Sequence, residues 1–172
     1  MKLVELARIL DRAFAINAME GTQRVVPYVE GEPGTGKTQK FYQYAQMRGI
    51  PVYSYYGPSA SPTDLVCYMP DQATGKLKAY FNERLPSAAE TPDLKALFFS
   101  DEIGKTHGET LKGFIKLFNE HKLDGITLPR DVLIVAAGNG VIHRSGDSRL
   151  PAALTTRFEC YKMDVDPAEV VD

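Results

Sequence analysis

Gly31-Glu32-Pro33-Gly34-Thr35-Gly36-Lys37-Thr38 has the spacing G-x-x-x-x-G-K-[ST], and its residue types suit one kind of chemistry. Glycines let the backbone curl with its N–H groups turned inward. A helix starting directly afterwards aims its positive end at the same point, which makes a cradle for anions. There the Lys37 ammonium would bridge the β- and γ-phosphates of a nucleotide, and the Thr38 hydroxyl would ligate Mg²⁺. At ordinary residue frequencies the pattern arises by chance in roughly one chain in 170 of this size. A Gly-rich turn with an incidental lysine is the alternative, and a position between a strand and a helix argues against it.

Leu97-Phe98-Phe99-Ser100-Asp101-Glu102 is a strand-like run that empties into two carboxylates. Side chains alternate along a regular strand, so the two carboxylates would face opposite ways and divide the work. Asp101 suits holding Mg²⁺ through a water. Glu102 suits the base that orients and polarises an attacking water, an effect of about 10²–10⁴-fold. An acidic cap for the next helix is the competing explanation, which Thr106-x-x-Glu109 weakens, since that capping box would itself start the helix. Asn139 follows a further apolar run and is expected to hold the same water or a γ-phosphate oxygen, with a plain turn asparagine as the alternative. Arg157 lies between a short helix and the last strand. Its guanidinium matches phosphate oxygens with developing charge, and an arginine supplied in trans is worth on the order of 10³–10⁵ in rate. A surface ion pair is the bland reading of Arg157, and Arg144 and Arg149 are weaker candidates for the same surface.

These residues need a frame that gathers strand ends. Leu3, Leu6, Ala7, Leu10 and Phe14 share one helical face, an amphipathic helix ending before Gly21. Residues 24–30 read as a short strand rich in valine, followed by the turn over 31–36. Phe41, Tyr44, Ala45 and Arg48 recur at helical spacing and Gly49 supplies a stop, so 37–48 is expected to be a helix. Residues 50–55 suggest a second strand. The stretch 57–95 is the least regular, and 67–69 with 77–81 flank a hairpin tip at Ala73-Thr74-Gly75-Lys76. Strands are expected over 96–100 and 132–137, separated by a helix with Leu111, Phe114, Ile115 and Phe118 inward. A short helix over 151–156 and a fifth strand over 158–165 complete the pattern. Alternating strands and helices, with strands that are apolar throughout, predict a five-stranded parallel α/β sheet covered on both faces. Ligands in such sheets sit at the carboxyl ends of the strands.

Composition narrows the remaining choices. A length of 172 residues fits one domain, and 44% apolar with 24% charged residues is globular usage, which excludes disorder and fibrous repeats. A formal charge of −2 lacks the basic excess of a dedicated nucleic-acid binder. No apolar run nears the ~20 residues of a membrane helix, so no membrane partner is expected. Lys2, Glu5, Arg8, Asp11 and Arg12 rule out an apolar secretory segment at the start. Cys67 and Cys160 stand alone, which reads as a reduced, cytoplasmic protein without structural zinc. His107, His121 and His143 show no metal spacing, and Tyr53, Tyr55 and Tyr56 read as packing around a strand end.

Taken together, residues 31–38, 97–102, Ala136-Ala137-Gly138-Asn139 and 150–158 make the chain resemble AAA+ ATPases, most closely the MoxR-type group of the helix-2-insert clade, across residues 22–165. Ser61-Pro62-Thr63-Asp64-Leu65, running to Leu85-Pro86, resembles the region where that group carries its insert. The resemblance implies a P-loop core over 1–172, with an N-terminal helix in 1–20 and an insert-bearing region in 57–95. It implies ATP and Mg²⁺ as ligands, Lys37 and Thr38 in the Walker A loop, Asp101 and Glu102 in Walker B, and Asn139 as sensor 1. Arg157 matches the finger that reaches a neighbour's nucleotide. A homo-oligomeric ring, usually hexameric, that remodels a partner protein follows from the same likeness, with the 74–76 hairpin facing the pore or a client. The group also carries a C-terminal helical lid, which is expected to be absent here because the sequence stops at Asp172, just after the last strand. Two other readings share the motifs: a nucleotide-dependent binding module with little turnover, and a nucleic-acid motor or loader with Lys76, Lys78 and Arg84 in a pore. A small-molecule P-loop kinase would have no use for Asn139 and Arg157.

Overall fold

The computed structural model describes residues 1–83, 85–139 and 150–164. Arg84, His143, Arg144 and Arg149, singled out above, lie outside the described residues, as does the expected end of the fifth strand at Val165.

The elements follow one another as helix α1 (Leu3–Ala18), strand β1 (Val26–Glu30), helix α2 (Lys37–Arg48) and strand β2 (Val52–Tyr56). An antiparallel hairpin of β3 (Val66–Pro70) and β4 (Leu77–Phe81) comes next, then β5 (Ala96–Asp101) and α3 (Gly108–Glu120). A small hairpin of β6 (Lys122–Leu123) and β7 (Ile126–Thr127) precedes β8 (Val132–Gly138), the four-residue helix α4 (Ala152–Thr155) and β9 (Phe158–Lys162). Five strands pair in parallel in the order β2-β5-β8-β1-β9. Parallel neighbours require crossovers, and α2 and α3 supply the long ones.

Alternation along each strand explains why both faces are covered. Val26, Tyr28, Phe98, Ile134 and Ala136 belong to one buried cluster with Phe114, Leu117 and Phe118 of α3 and Leu154 of α4. The residues between them (Val29, Leu97, Phe99, Leu133, Val135 and Ala137) belong to a second, with Leu6, Leu10 and Ala13 of α1 and Phe41 and Tyr44 of α2. Each fully buried large side chain contributes about 1.5–3 kcal/mol, so the two clusters account for why β8 is buried along its whole length. Aromatic rings dominate the α3 face: Tyr28 stacks on Phe158 at 4.8 Å, and Phe98 meets Phe114 and Phe118 at 6.1 and 6.4 Å. The parallel sheet with helices on both faces, read from periodicity, is therefore the fold of the chain.

Two local expectations are corrected, and one hairpin goes beyond them. The strand expected over 24–30 begins only at Val26, because the Val25 backbone is bonded to the Asn17 side chain instead, its amide donating to Oδ1 at 2.8 Å and its carbonyl accepting from Nδ2 at 3.0 Å. The capping box at Thr106 and Glu109 does not form: α3 starts at Gly108 behind His107, with no side-chain cap. Thr106 is drawn inward against Gly57, where its hydroxyl is buried without a partner among the described residues, and Glu109 pairs instead with Lys112 at 2.7 Å. The β6–β7 hairpin was not anticipated, although Asp124-Gly125 is a strong two-residue turn signal; both residues have positive φ, 48° and 88°.

Candidate nucleotide site

The glycine-rich octet lies between β1 and α2, at the carboxyl edge of the sheet. Gly34 and Gly36 take φ of 81° and 75°, a left-handed region that costs other residues strain, and this lets the loop fold back over the start of α2. Thr35 closes the loop by donating from its amide and its hydroxyl to the Glu32 carbonyl, at 3.3 and 2.9 Å. The Lys37 side chain is buried, with Nζ donating to the carbonyls of Gly31 and Glu32 at 2.7 and 2.9 Å. Its ammonium is thus tethered inside the loop, where an anion would meet it. The loop is anchored on both sides: Gly31 donates to the Gly138 carbonyl at 3.3 Å, and Met163 donates to the Glu30 carbonyl at 2.7 Å. A side chain at Gly31 would lie 2.5 Å from the Met163 carbonyl oxygen, so this close approach requires glycine.

β5 delivers the carboxylates to the same edge. The Thr38 hydroxyl donates to Asp101 Oδ2 at 2.6 Å, joining the first turn of α2 to the end of β5. Two oxygen donors therefore stand side by side where a hard cation would sit, beside the glycine-rich loop. Among the described residues no group of three or more His, Cys, Asp or Glu could hold a metal, so a cation here would take its other ligands from phosphate and water. Asn139 follows β8, whose last residues pair with Tyr28 to Glu30 of β1. Its side chain is buried and Nδ2 lacks a partner among the described residues. An orphaned buried donor at this edge fits an oxygen ligand, as a γ-phosphate or its attacking water would provide.

Glu102 departs from strand geometry. It takes φ 48°, so the simple alternation expected for the acidic pair breaks after Asp101. Its amide donates to Asp101 Oδ1 at 3.0 Å, while its carboxylate receives Lys105 Nζ at 2.8 Å and the Tyr56 hydroxyl at 3.4 Å. Both contacts were missed from sequence. Lys105 falls three residues from Glu102 in a short 3-10 turn rather than a helix, and the sequence offers no sign that Tyr56 does other than pack with Tyr53 and Tyr55. Tyr55 is indeed buried, but Tyr56 is exposed and turned to the acidic pair.

Arg157 is not brought to this cluster. It precedes β9, whose first residue pairs with Val26, so it lies at the amino edge of the sheet. The five residues of β1 separate the two edges by roughly 16 Å, more than an arginine side chain spans. Among the described residues its guanidinium makes no hydrogen bond or ion pair. The other predicted site residues (Gly31, Glu32, Pro33, Gly34, Thr35, Gly36, Lys37, Thr38, Asp101, Glu102 and Asn139) all gather at the carboxyl edge.

No family model matches the chain, and no curated protein matches it in sequence. Solved structures do. An ATPase candidate from Cytophaga hutchinsonii superposes with a TM-score of 0.62 at 16% identity, covering 96% of this chain and 47% of the other. Two mutant forms of RuvB from Thermotoga maritima give TM-scores of 0.58 and 0.57 at 20% and 19% identity, covering 95% and 96% of this chain and 46% of each of theirs. The chain thus spans about half the length of these proteins. At such identities the likeness concerns the fold, a five-stranded parallel sheet with helices on both faces that this chain shares with these structures.

Proposed function

We propose that the chain binds ATP with Mg²⁺ and hydrolyses it as the catalytic core of a MoxR-type AAA+ assembly that remodels a protein partner. The observation that carries this reading is the 2.6 Å bond between Thr38 and Asp101, which registers the phosphate loop against the acidic pair. Loop amides and Lys37 take the β- and γ-phosphates, and Thr38 with Asp101 holds the cation, which withdraws charge from the phosphate oxygens when bound. Glu102 accepts the proton of the attacking water as it closes on the γ-phosphorus, in line with the departing ADP oxygen. Asn139 donates to that water or to a γ-oxygen. Arg157, stranded at the far edge of its own sheet, serves the nucleotide of an adjacent subunit, which makes turnover a property of the assembly, a ring of six by the family likeness. The hairpin around Thr74-Gly75-Lys76 faces the ring pore or a client.

A nucleotide-gated docking module without turnover is the second reading, supported by the hold of Lys105 on Glu102. Phosphate release followed against protein concentration separates the two. Hydrolysis predicts a rate per chain that climbs with concentration, a climb lost in Arg157→Ala, and turnover at least ~100-fold slower in Glu102→Gln. A concentration-independent rate that survives Arg157→Ala contradicts the trans role. No release at any concentration, with MgATP bound, favours the docking module.

A further inference from the structure

The β3–β4 hairpin has one edge that is open for pairing. Asn82 donates from its amide to the Leu65 carbonyl at 3.1 Å, and Asp71 to the Lys76 carbonyl at 2.8 Å, one residue beyond each end of the ladder. Bonded and unbonded pairs alternate in an antiparallel ladder, so Cys67–Tyr80 and Met69–Lys78 are the bonded pairs in between. Leu77, Ala79 and Phe81 therefore turn their N–H and C=O groups away from β3. The hairpin is a sheet of two strands, and these groups have no backbone partner among the described residues. The other edge is blunted, because Pro70 sits at the outward-facing parity of β3 and has no N–H to offer. We infer that the β4 edge docks an extended segment of a partner protein, apolar on one side and acidic on the other, which adds to the hairpin as a third strand.

The space beside this edge is already shaped. β4 forms one wall of a groove of about 520 Å³, with Ala88, Glu90, Ile126 and Thr127 on the other. That far wall is fixed, since the Ala88 amide donates to the Thr127 carbonyl at 2.8 Å and the Thr91 amide closes a turn on the Ser87 carbonyl at 2.8 Å. A preformed wall lowers the ordering cost of strand addition, and the alternate side chains of the added strand give it specificity. Along β4 the side chains alternate between faces. Ala79 and Phe81 lean on the core under α3 and make an apolar strip. Lys78 lies on the other face, its ammonium 5.4 Å over the Tyr80 ring. Oδ1 of Asp71, whose carboxylate feels Lys78, is taken by the Ala73 and Thr74 amides at 3.0 and 2.8 Å. Lys76 and Lys78 make no ion pair among the described residues, so their charge favours acidic residues in an added strand. A second copy of β4 would set lysine against lysine, which disfavours self-pairing.

The probe is a fluorescein-labelled peptide of alternating valine and glutamate, titrated with the full chain and followed by anisotropy; no nucleotide is needed. Saturable binding is expected, weaker by about two- to fivefold in Lys78→Ala, as for an exposed charge pair. Methylating alternate amide nitrogens of the probe isolates the backbone contribution. One parity is expected to weaken binding by at least ~tenfold, since it removes the bonds to Ala79 and Phe81, and the other to leave it unchanged. Ala79→Pro, which suits an edge whose N–H faces outward, should match the blocked probe. If that variant loses its cooperative melting transition, the two methylated probes carry the test on the wild-type chain. No saturable binding, equal loss at both parities, or indifference to a folded Ala79→Pro overturns the docking edge. A lysine-for-glutamate probe that binds as tightly overturns the acidic partner. A dimer seen by light scattering without probe, and lost in Ala79→Pro, assigns the edge to a second copy and overturns the partner segment.

Discussion

Gly57 is the residue on which the acidic pair leans. It touches the carbonyl of Glu102 and, were it alanine, its Cβ would lie 2.5 Å from Thr106 Oγ1. Both neighbours are held by the short turn that follows Asp101, so neither can step aside cheaply. Gly57→Ala is therefore expected to cost about 1–3 kcal/mol, the usual penalty of overpacking a tight site, read as a lowered urea midpoint. An unchanged midpoint would mean that the turn yields freely. None of this was legible beforehand. The glycine-rich octet could be read because its chemistry is written in consecutive residue types. Gly57 and Tyr56 matter through distances that close only after β2 and β5 pair, Tyr56 opposite Asp101.

At the scale of elements, α3 and the turn behind it show how far pattern reading goes. Phe114 and Phe118 were expected inward and are buried, while Leu117 takes the deeper place that Leu111 and Ile115 share only partly. The start of the helix was misplaced because Thr106 has a packing task that competes with capping. Its end carries a titratable group: His121 adopts φ 56°, is buried, and donates from Nε2 to the Pro129 carbonyl at 2.9 Å. Burial foremost, and then the nearby charge of Arg24, pull its pKa down to about 4, against the partial opposition of the Pro129 carbonyl. The unfolded chain binds that proton near pH 6.5, so it takes up more protons than the folded one between these values. Stability from His121 is complete above about pH 6.5 and is lost as pH falls toward 4, by about 1–2 kcal/mol at pH 5. Urea titrations at pH 7 and pH 5 should show this loss, and His121→Asn, which tolerates left-handed backbone, should flatten it. Equal slopes in the two proteins would remove His121 from the account.

For the whole molecule the division of labour is spatial. One edge of the sheet carries the phosphate loop, the acidic pair and Asn139, and the other carries Arg157. On the proposed trans role of Arg157, such a chain would be half of two different sites, and apposing one edge to the other in a second copy would complete both. The likeness to solved structures extends over 93–96% of the chain and about half of each of those proteins. The parallel sheet was open to sequence reading because its central strands β5 and β8 are buried apolar runs and the candidate ligand-bearing residues follow strand ends. The placement of Arg157 at the opposite edge was not, since strand direction and order must both be known to see it. The proposed function depends on a triphosphate seated between Lys37 and Asp101, and calorimetric titration of MgATP into the chain reads that directly. Wild type and Glu102→Gln are expected to bind with similar affinity, and Lys37→Ala to lose binding by at least a hundredfold while keeping its melting transition. Undiminished binding in Lys37→Ala, or none in the wild type, would contradict the account.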